Sequence, residues 1–209
     1  MIRSRRHPAA TQATNRLEAY TDGVFAIAAT LLVLDLTTHS LDGVTTEGEL
    51  VSALAGMWRQ FMNFGISFLM LSMLWMIHVR QFEVVARVDS VLTWLNNGRL
   101  LFIVLMPFAT ATATDYSDFL AGRLLMPVTF FMSVLFSWLQ WMWAVRCREV
   151  MLPDLPEREA RAGRGDGLTA VILGAGVVAL SPWLGTAGFA LFVLDPLLTR
   201  ALRGRLGGG

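Results

Sequence analysis

Arg16-Leu17-Glu18-Ala19-Tyr20-Thr21-Asp22-Gly23-Val24-Phe25-Ala26-Ile27-Ala28-Ala29-Thr30-Leu31-Leu32-Val33-Leu34-Asp35-Leu36 decides the fold. A bilayer core about 30 Å thick needs about 20 mostly apolar helical residues, and Leu17 to Leu36 supplies them. The acids near its ends are unusual. An ionisable group inside a span costs about 2.5–3.5 kcal/mol on insertion scales. Asp22 and Asp35 should therefore face protein or water, or else mark the two interfaces, with Asp22 as a helix cap. At about 100° per residue, Ile27, Thr30, Leu31 and Leu34 share one stripe, with Gly23 a turn before them. Phe25, Ala29, Leu32 and Leu36 point the other way. On periodicity alone such a stripe is ordinary packing.

Outward from this segment, similar windows recur at Phe61 to Ile77, Leu100 to Thr114 with a polar approach from Leu92, and Leu124 to Val145. Leu168 to Leu180 and Trp183 to Leu198 are shorter and read as a tight hairpin broken at Ser181-Pro182, its glycines allowing close backbone approach. The whole is all-α and polytopic, with six transmembrane helices. Composition agrees: 55% of the 209 residues are hydrophobic and 16% charged, with a mean hydropathy of +0.54, which does not fit a water-soluble globule.

Arginine placement orients the spans, because short Arg-rich loops stay cytoplasmic. Arg3, Arg5, Arg6 and Arg16 precede the first span; Asp42, Glu47 and Glu49 follow it. Arg80 and Arg87 lie in the next connection, then Asp115 and Asp118, then Arg146, Arg148, Arg158, Arg161 and Arg164, and finally Arg200, Arg203 and Arg205. The alternation puts both termini in the cytoplasm. Residues 1–15 read as a cytoplasmic tail, 16–206 as the membrane domain and 207–209 as an expression remnant. The first apolar run reads as a retained span, not a cleaved signal, and Pro153 to Gly167 as a solvated linker.

Several function classes are disfavoured. A formal charge of +1 leaves no electrostatic footprint for nucleic acid. Cys147 stands alone, and His7, His39 and His78 lie on separate segments without metal-ligand spacing or a catalytic motif, so no enzyme, metal or cofactor is expected. Arg99 reads as a snorkelling base at the inner interface. Trp138, Trp141 and Trp143 read as interfacial anchors, and Pro127 as a kink.

The residues of the first helix resemble the prokaryotic branch of the transmembrane protein 175 family of potassium-permeable channels. Its hallmark is an Arg, three residues, then Phe-Ser-Asp, matched here by Arg16, Tyr20, Thr21 and Asp22, with aromatic ring and hydroxyl kept. The continuation Gly-Val-Phe-Ala-Ile-Ala and Thr-Leu-Leu-Val-Leu plus an acid is similar too. Trp75, His78, Arg80 and Phe82 resemble the signature at the end of the second span, although Val79 stands where a second His is common. Trp94, Asn96, Leu101, Phe102, Pro107, Phe108 and Thr110 resemble the third-helix pattern, where Asn97-Gly98-Arg99 interrupts a leucine run. The likeness covers Arg16 to Tyr116; beyond it only hydropathy agrees.

The resemblance implies a homotetramer in the bacterial plasma membrane, with helix one lining a central pore for potassium and other monovalent cations. It implies Ile27 as the constriction, with Leu31 and Leu34 as further apolar rings and Thr30 as a polar contributor. No carbonyl filter of the Thr-Val-Gly-Tyr-Gly type is present. Asp35, repeated around the outer mouth, would concentrate cations. The family likeness further makes Arg16, Tyr20, Thr21, Asp22, Trp75 and His78 an inner polar network beneath helix one, against an alternative of an interfacial histidine and a belt tryptophan. A proton-coupled secondary transporter using Asp22 or Asp35 is the competing function, although the repeats and broken helices expected of one are not evident in the first four spans.

Overall fold

The computed structural model describes residues 11–36 and 41–194. The described elements are helices α1 (Gln12–Leu31), α2 (Glu47–Gly56), α3 (Trp58–Val84), α4 (Ser90–Asp115), α5 (Leu120–Arg146), α6 (Arg148–Met151) and α7 (Glu157–Leu184). Two 3-10 segments, Leu32–Asp35 and Gly185–Leu194, extend α1 and follow α7. Among the described residues, five helical runs are long and apolar enough to cross a membrane: Gln12–Leu34, Trp58–Val84, Ser90–Asp115, Leu120–Arg146 and Glu157–Phe192.

These runs alternate in direction. At the arginine-rich end, Thr11 N–H and the Thr14 hydroxyl both donate to the Ala86 carbonyl, while Ala86 N–H donates to Met151 O. One buried residue in the α3–α4 connection thus ties the starts of α1 and the end of α6 together. Asp89 caps α4 by accepting from Leu92 N at 2.7 Å, and its other oxygen accepts from Trp143 Nε1 of α5 at 3.0 Å. At the opposite end Arg59 of α3 reaches Ser117, and the Asn63 carbonyl oxygen accepts from Thr186 beyond α7.

The main core runs between α1, α3, α4 and α5, where Phe25, Leu74, Ile103, Met106, Met126 and Phe130 are buried. Burial on α1 recurs at Leu17, Thr21, Phe25 and Ala28, a single face at helical spacing.

Four expectations need correction. Pro153 to Gly167 is not a solvated linker as a whole, because α7 starts at Glu157 and its early turns pack on α5. Added Cβ atoms at Gly163 and Gly167 would come within 2.7 and 2.6 Å of the Trp141 and Trp138 rings, so these glycines let the tryptophans lie on the α7 backbone. The tryptophans accordingly act as packing residues: Trp141 is buried and donates to Ala160 O, and Trp143 holds the α4 cap. Arg99 does not snorkel; it has no exposed surface.

Finally, the break after Leu180 does not fall at Ser181-Pro182. Helix α7 continues through Pro182 to Leu184, and the turn is made by Gly185 at φ 53°. Gly188 then lies against Val177, and Leu191 against Gly176. This antiparallel pairing shows the chain folding back on α7. The far end of the expected sixth span lies outside the described residues. So do the side chain of Asp35 and the terminal arginines at positions 3, 5, 6, 200, 203 and 205. The connection after the first span also contains a helix: α2 begins with a capping box in which Thr46 accepts from Glu49 N and Glu49 accepts from Thr46 N.

Candidate functional site

Helix α1 has two unlike faces. Phe25, Ala28 and Leu32 are buried in the bundle. Ile27, Leu31 and Leu34 are 62%, 40% and 66% exposed in the single chain, and Gly23 and Thr30 are exposed on the same side. The Thr30 hydroxyl donates to Ile27 O at 2.8 Å, bonding back along its own helix. No described side chain of the bundle covers this stripe. Hydrophobic burial is worth about 25 cal/mol per Å² of apolar surface; within lipid that gain is absent, so exposure alone does not say what covers the stripe.

The inner residues separate into two sets. Trp75 Nε1 donates to Asp22 Oδ1 at 3.0 Å, joining α3 to α1. Thr21 is fully buried, donates to Leu17 O and accepts from Asn96 Nδ2 of α4 at 2.8 Å. Gln140 of α5 donates in turn to Asn96 Oδ1 at 3.5 Å. Arg16 and Tyr20 instead face outward. His78 is buried, but neither ring nitrogen has a hydrogen-bond partner. Its ring stacks with Phe25 at 6.0 Å and tilts against Phe82 at 4.4 Å. The structure therefore brings Thr21, Asp22, Trp75 and His78 to one level of the bundle and leaves Arg16 and Tyr20 outside it.

Arg99 completes this level. Its Nη2 donates to the Leu74 carbonyl of α3 at 2.5 Å, and its guanidinium lies 5.5 Å from the Phe25 ring centre. Nε and Nη1 have no partner. Asn96, Arg99 and Gln140 escaped the sequence reading as site members. The signal was the three-residue spacing of Asn96 and Arg99, which sets both on one α4 face. A second polar seam, also unforeseen, runs through the outer half: Asn63 donates to Thr114, and Ser67 and Thr110 share a 2.7 Å hydrogen bond.

Between α1 and α3 lies a cavity of about 390 Å³, with Asp22 and Trp75 among its lining residues. Among the described residues, no group of His, Cys, Asp and Glu is arranged to hold a metal ion.

An all-α bundle of membrane-length helices, whose first helix leaves one apolar face uncovered, is the architecture of a polytopic membrane protein that assembles around that face or lies with it in lipid. Over residues 16–107 the chain matches the family described as endosomal/lysosomal potassium channel TMEM175. A potassium channel of Streptomyces collinus is 40% identical over 103 residues, covering 49% of this chain and 48% of that protein. One of Chamaesiphon minutus is 41% identical over 103 residues, covering 49% and 50%. The chain spans about half the length of these curated relatives. The crystal structure of a lysosomal potassium-selective channel TMEM175 homolog from Chamaesiphon minutus matches with a TM-score of 0.73 at 28% identity, covering 92% of this chain and 99% of that one. The resemblance read from helix one thus holds over that segment, and the fold is that of the channel homolog. The relatives carry channel names, which favour neither an enzyme nor the transporter alternative.

Proposed function

We propose that the protein is a potassium-permeable cation channel that conducts passively in a bacterial plasma membrane. Four copies, each with six spans and cytoplasmic termini, place α1 around a central pore. The observation that carries this reading is the uncovered stripe of Ile27, Leu31 and Leu34 behind which Phe25, Ala28 and Leu32 are locked into the bundle. Rotational copies of one stripe enclose a path that a single helix cannot, and closed cyclic symmetry is the usual way a short chain builds a ring. The bacterial relatives, both named potassium channels, support potassium as the ion.

In this reading a ring of Ile27 side chains forms an apolar neck that stops ions by excluding water and passes them when it widens. Leu31 and Leu34 continue the dry lining, and the Thr30 hydroxyl, satisfied by Ile27 O, presents its lone pairs beside the neck. Asp35 at the outer mouth enriches cations. Potassium is preferred because stripping part of its hydration shell costs less than for the smaller sodium ion. Thr21, Asp22, Trp75 and His78 hold α1 from behind; Arg16 and Tyr20, exposed in one chain, face neighbouring copies or the inner aqueous boundary.

The test is potassium flux from liposomes holding purified wild-type protein or Ile27→Asn. A channel with its neck at Ile27 shows flux that follows the potassium gradient alone, and the substitution raises flux and weakens discrimination against sodium. Unchanged selectivity with Ile27→Asn removes Ile27 from the neck. Transport that requires a proton gradient replaces the channel with the transporter.

A further inference from the structure

The cavity between α1 and α3 lies beside the exposed stripe and has a chemistry of its own. Phe25, Ala26, Phe68 and Trp75 give it apolar and largely aromatic walls, with Ser72 and Asp22 as its polar members. The Ser72 hydroxyl is already committed to Phe68 O of its own helix. The Asp22 carboxylate is not spent. Its Oδ1 accepts from Trp75 Nε1, and among the described residues Oδ2 accepts no hydrogen bond. Asp22 is half-buried on the side of α1 that meets α3.

A carboxylate oxygen among apolar walls, whose partner oxygen takes one indole hydrogen bond, keeps its acceptor capacity for a charged donor. Aromatic rings beside it attract cations through their π faces, more strongly where water is excluded. A concave, mostly apolar space of this volume with one oriented polar group is the usual form of a small-molecule site between helices. The geometry points to a binding site for an amphiphilic organic ammonium ion: its protonated amine pairs with Asp22 Oδ2, and its aromatic or alkyl body lies along Ala26, Phe68 and Trp75. An inorganic cation alone leaves the apolar walls unfilled, and a neutral apolar molecule leaves the carboxylate unpaired. The charge and the walls together select a ligand that is both.

The test is equilibrium binding of tetracaine, an aromatic ester that carries a protonated tertiary alkylamine, to the purified protein in lipid nanodiscs, with empty nanodiscs subtracted. A counterpart in which a butyl chain replaces the dimethylaminoethyl group supplies the uncharged control. Saturable binding of tetracaine is expected, weakened at least about tenfold in Asp22→Asn, where the ion pair is lost, and in Ala26→Phe, where the added ring fills the cavity. The uncharged ester should show no saturable component. Equal uptake of amine and ester, or unchanged affinity in either variant, overturns the proposal. Absence of saturable binding to the wild type also overturns it and leaves a second copy of this chain as what covers the cavity. Should Asp22→Asn elute as aggregate in size exclusion, Ala26→Phe and the uncharged ester decide the matter. Binding is read without ion flux, so this result is independent of the channel reading.

Discussion

Asn96 of α4 donates its side-chain amide to the Thr21 hydroxyl of α1 at 2.8 Å, and both residues are fully buried. This bond joins the first helix to the bundle on the side away from the exposed stripe. Valine at position 21 keeps the shape but leaves the Asn96 amide without an acceptor. Stranding a buried donor costs about 1–3 kcal/mol. Thr21→Val should lower the melting temperature of the purified protein measurably, while Tyr20→Phe, at an exposed position one residue earlier, should stay within about 0.5 kcal/mol of wild type. Equal melting of the two variants would remove the bond from any account of how α1 is held.

Arg99 separates charge from volume. The guanidinium is fully buried, one nitrogen meets Leu74 O, and two have no partner. Replacing buried charges by apolar groups of similar volume is often neutral or stabilising, whereas truncation leaves a void. Arg99→Met is expected to melt at or above the wild-type temperature, and Arg99→Ala to lose about 2–5 kcal/mol. A large loss in Arg99→Met would show that the charge itself holds α3 to α4.

Gly98 explains the interruption of the leucine run. A Cβ there would sit 2.5 Å from Phe136 Cε1, and Phe136 is stacked with Phe102 at 5.8 Å. Gly98→Leu therefore overpacks the α4–α5 seam, at about 1–3 kcal/mol. Pairing it with Phe136→Ala should recover part of that loss. Additive losses in the double-mutant cycle would mean the two residues do not share the space.

The spans and the two faces of α1 were legible because hydrophobic length and helical period are local properties of the chain, as in Leu17 to Leu36. The family-like string from Arg16 to Asp22 pointed to the right helix, but not to which of its residues meet: Thr21 and Asp22 turn inward while Arg16 and Tyr20 turn out. Partners such as Asn96 and Gln140 lie 75 and 44 residues from the groups they bond, and no local pattern ranks such pairs. Arg99 was misread because a base near a helix start has a cheap local solution, snorkelling, that the packing of Phe25 and Leu74 overrides. The α7 start was missed because charge and glycine near 153–167 signal loop locally, although the glycines serve tryptophan packing. The capping box at Thr46 and Glu49 is a local pattern that marks the start of α2 in the sequence itself.

That cap gives a pH dependence. Glu49 accepts from Thr45 N, Thr45 Oγ1 and Thr46 N at 2.8, 3.0 and 3.0 Å, and these bonds, led by the Thr45 backbone, hold its carboxyl below the ordinary value of 4.5. A lowered carboxylate pKa favours the folded cap above the ordinary value, and the gain is lost as pH falls through the depressed one. Amide protection in the first turn of α2 should be flat down to about the ordinary carboxylate range and fall in stronger acid. In Glu49→Gln that protection should be lower throughout and lose its acid dependence.

The position of the last turn is tested by two substitutions with opposite signs. Gly185 has φ 53° and ψ −137°, a region that residues with a Cβ rarely occupy, at a cost of about 1–3 kcal/mol. An added Cβ there meets no atom within 4 Å, so any loss in Gly185→Ala comes from the backbone and not from crowding. Pro182 lies inside α7, where proline cannot donate to the carbonyl four residues earlier; alanine restores that bond. Gly185→Ala should therefore lower thermal stability and loosen the packing of Phe189 and Phe192 on Phe130, whose rings now meet edge-on at 5.3 and 5.2 Å. Pro182→Ala should be neutral or stabilising. If Ser181-Pro182 made the turn instead, the signs would exchange: Pro182→Ala would unfasten the returning segment, and Gly185→Ala would be tolerated.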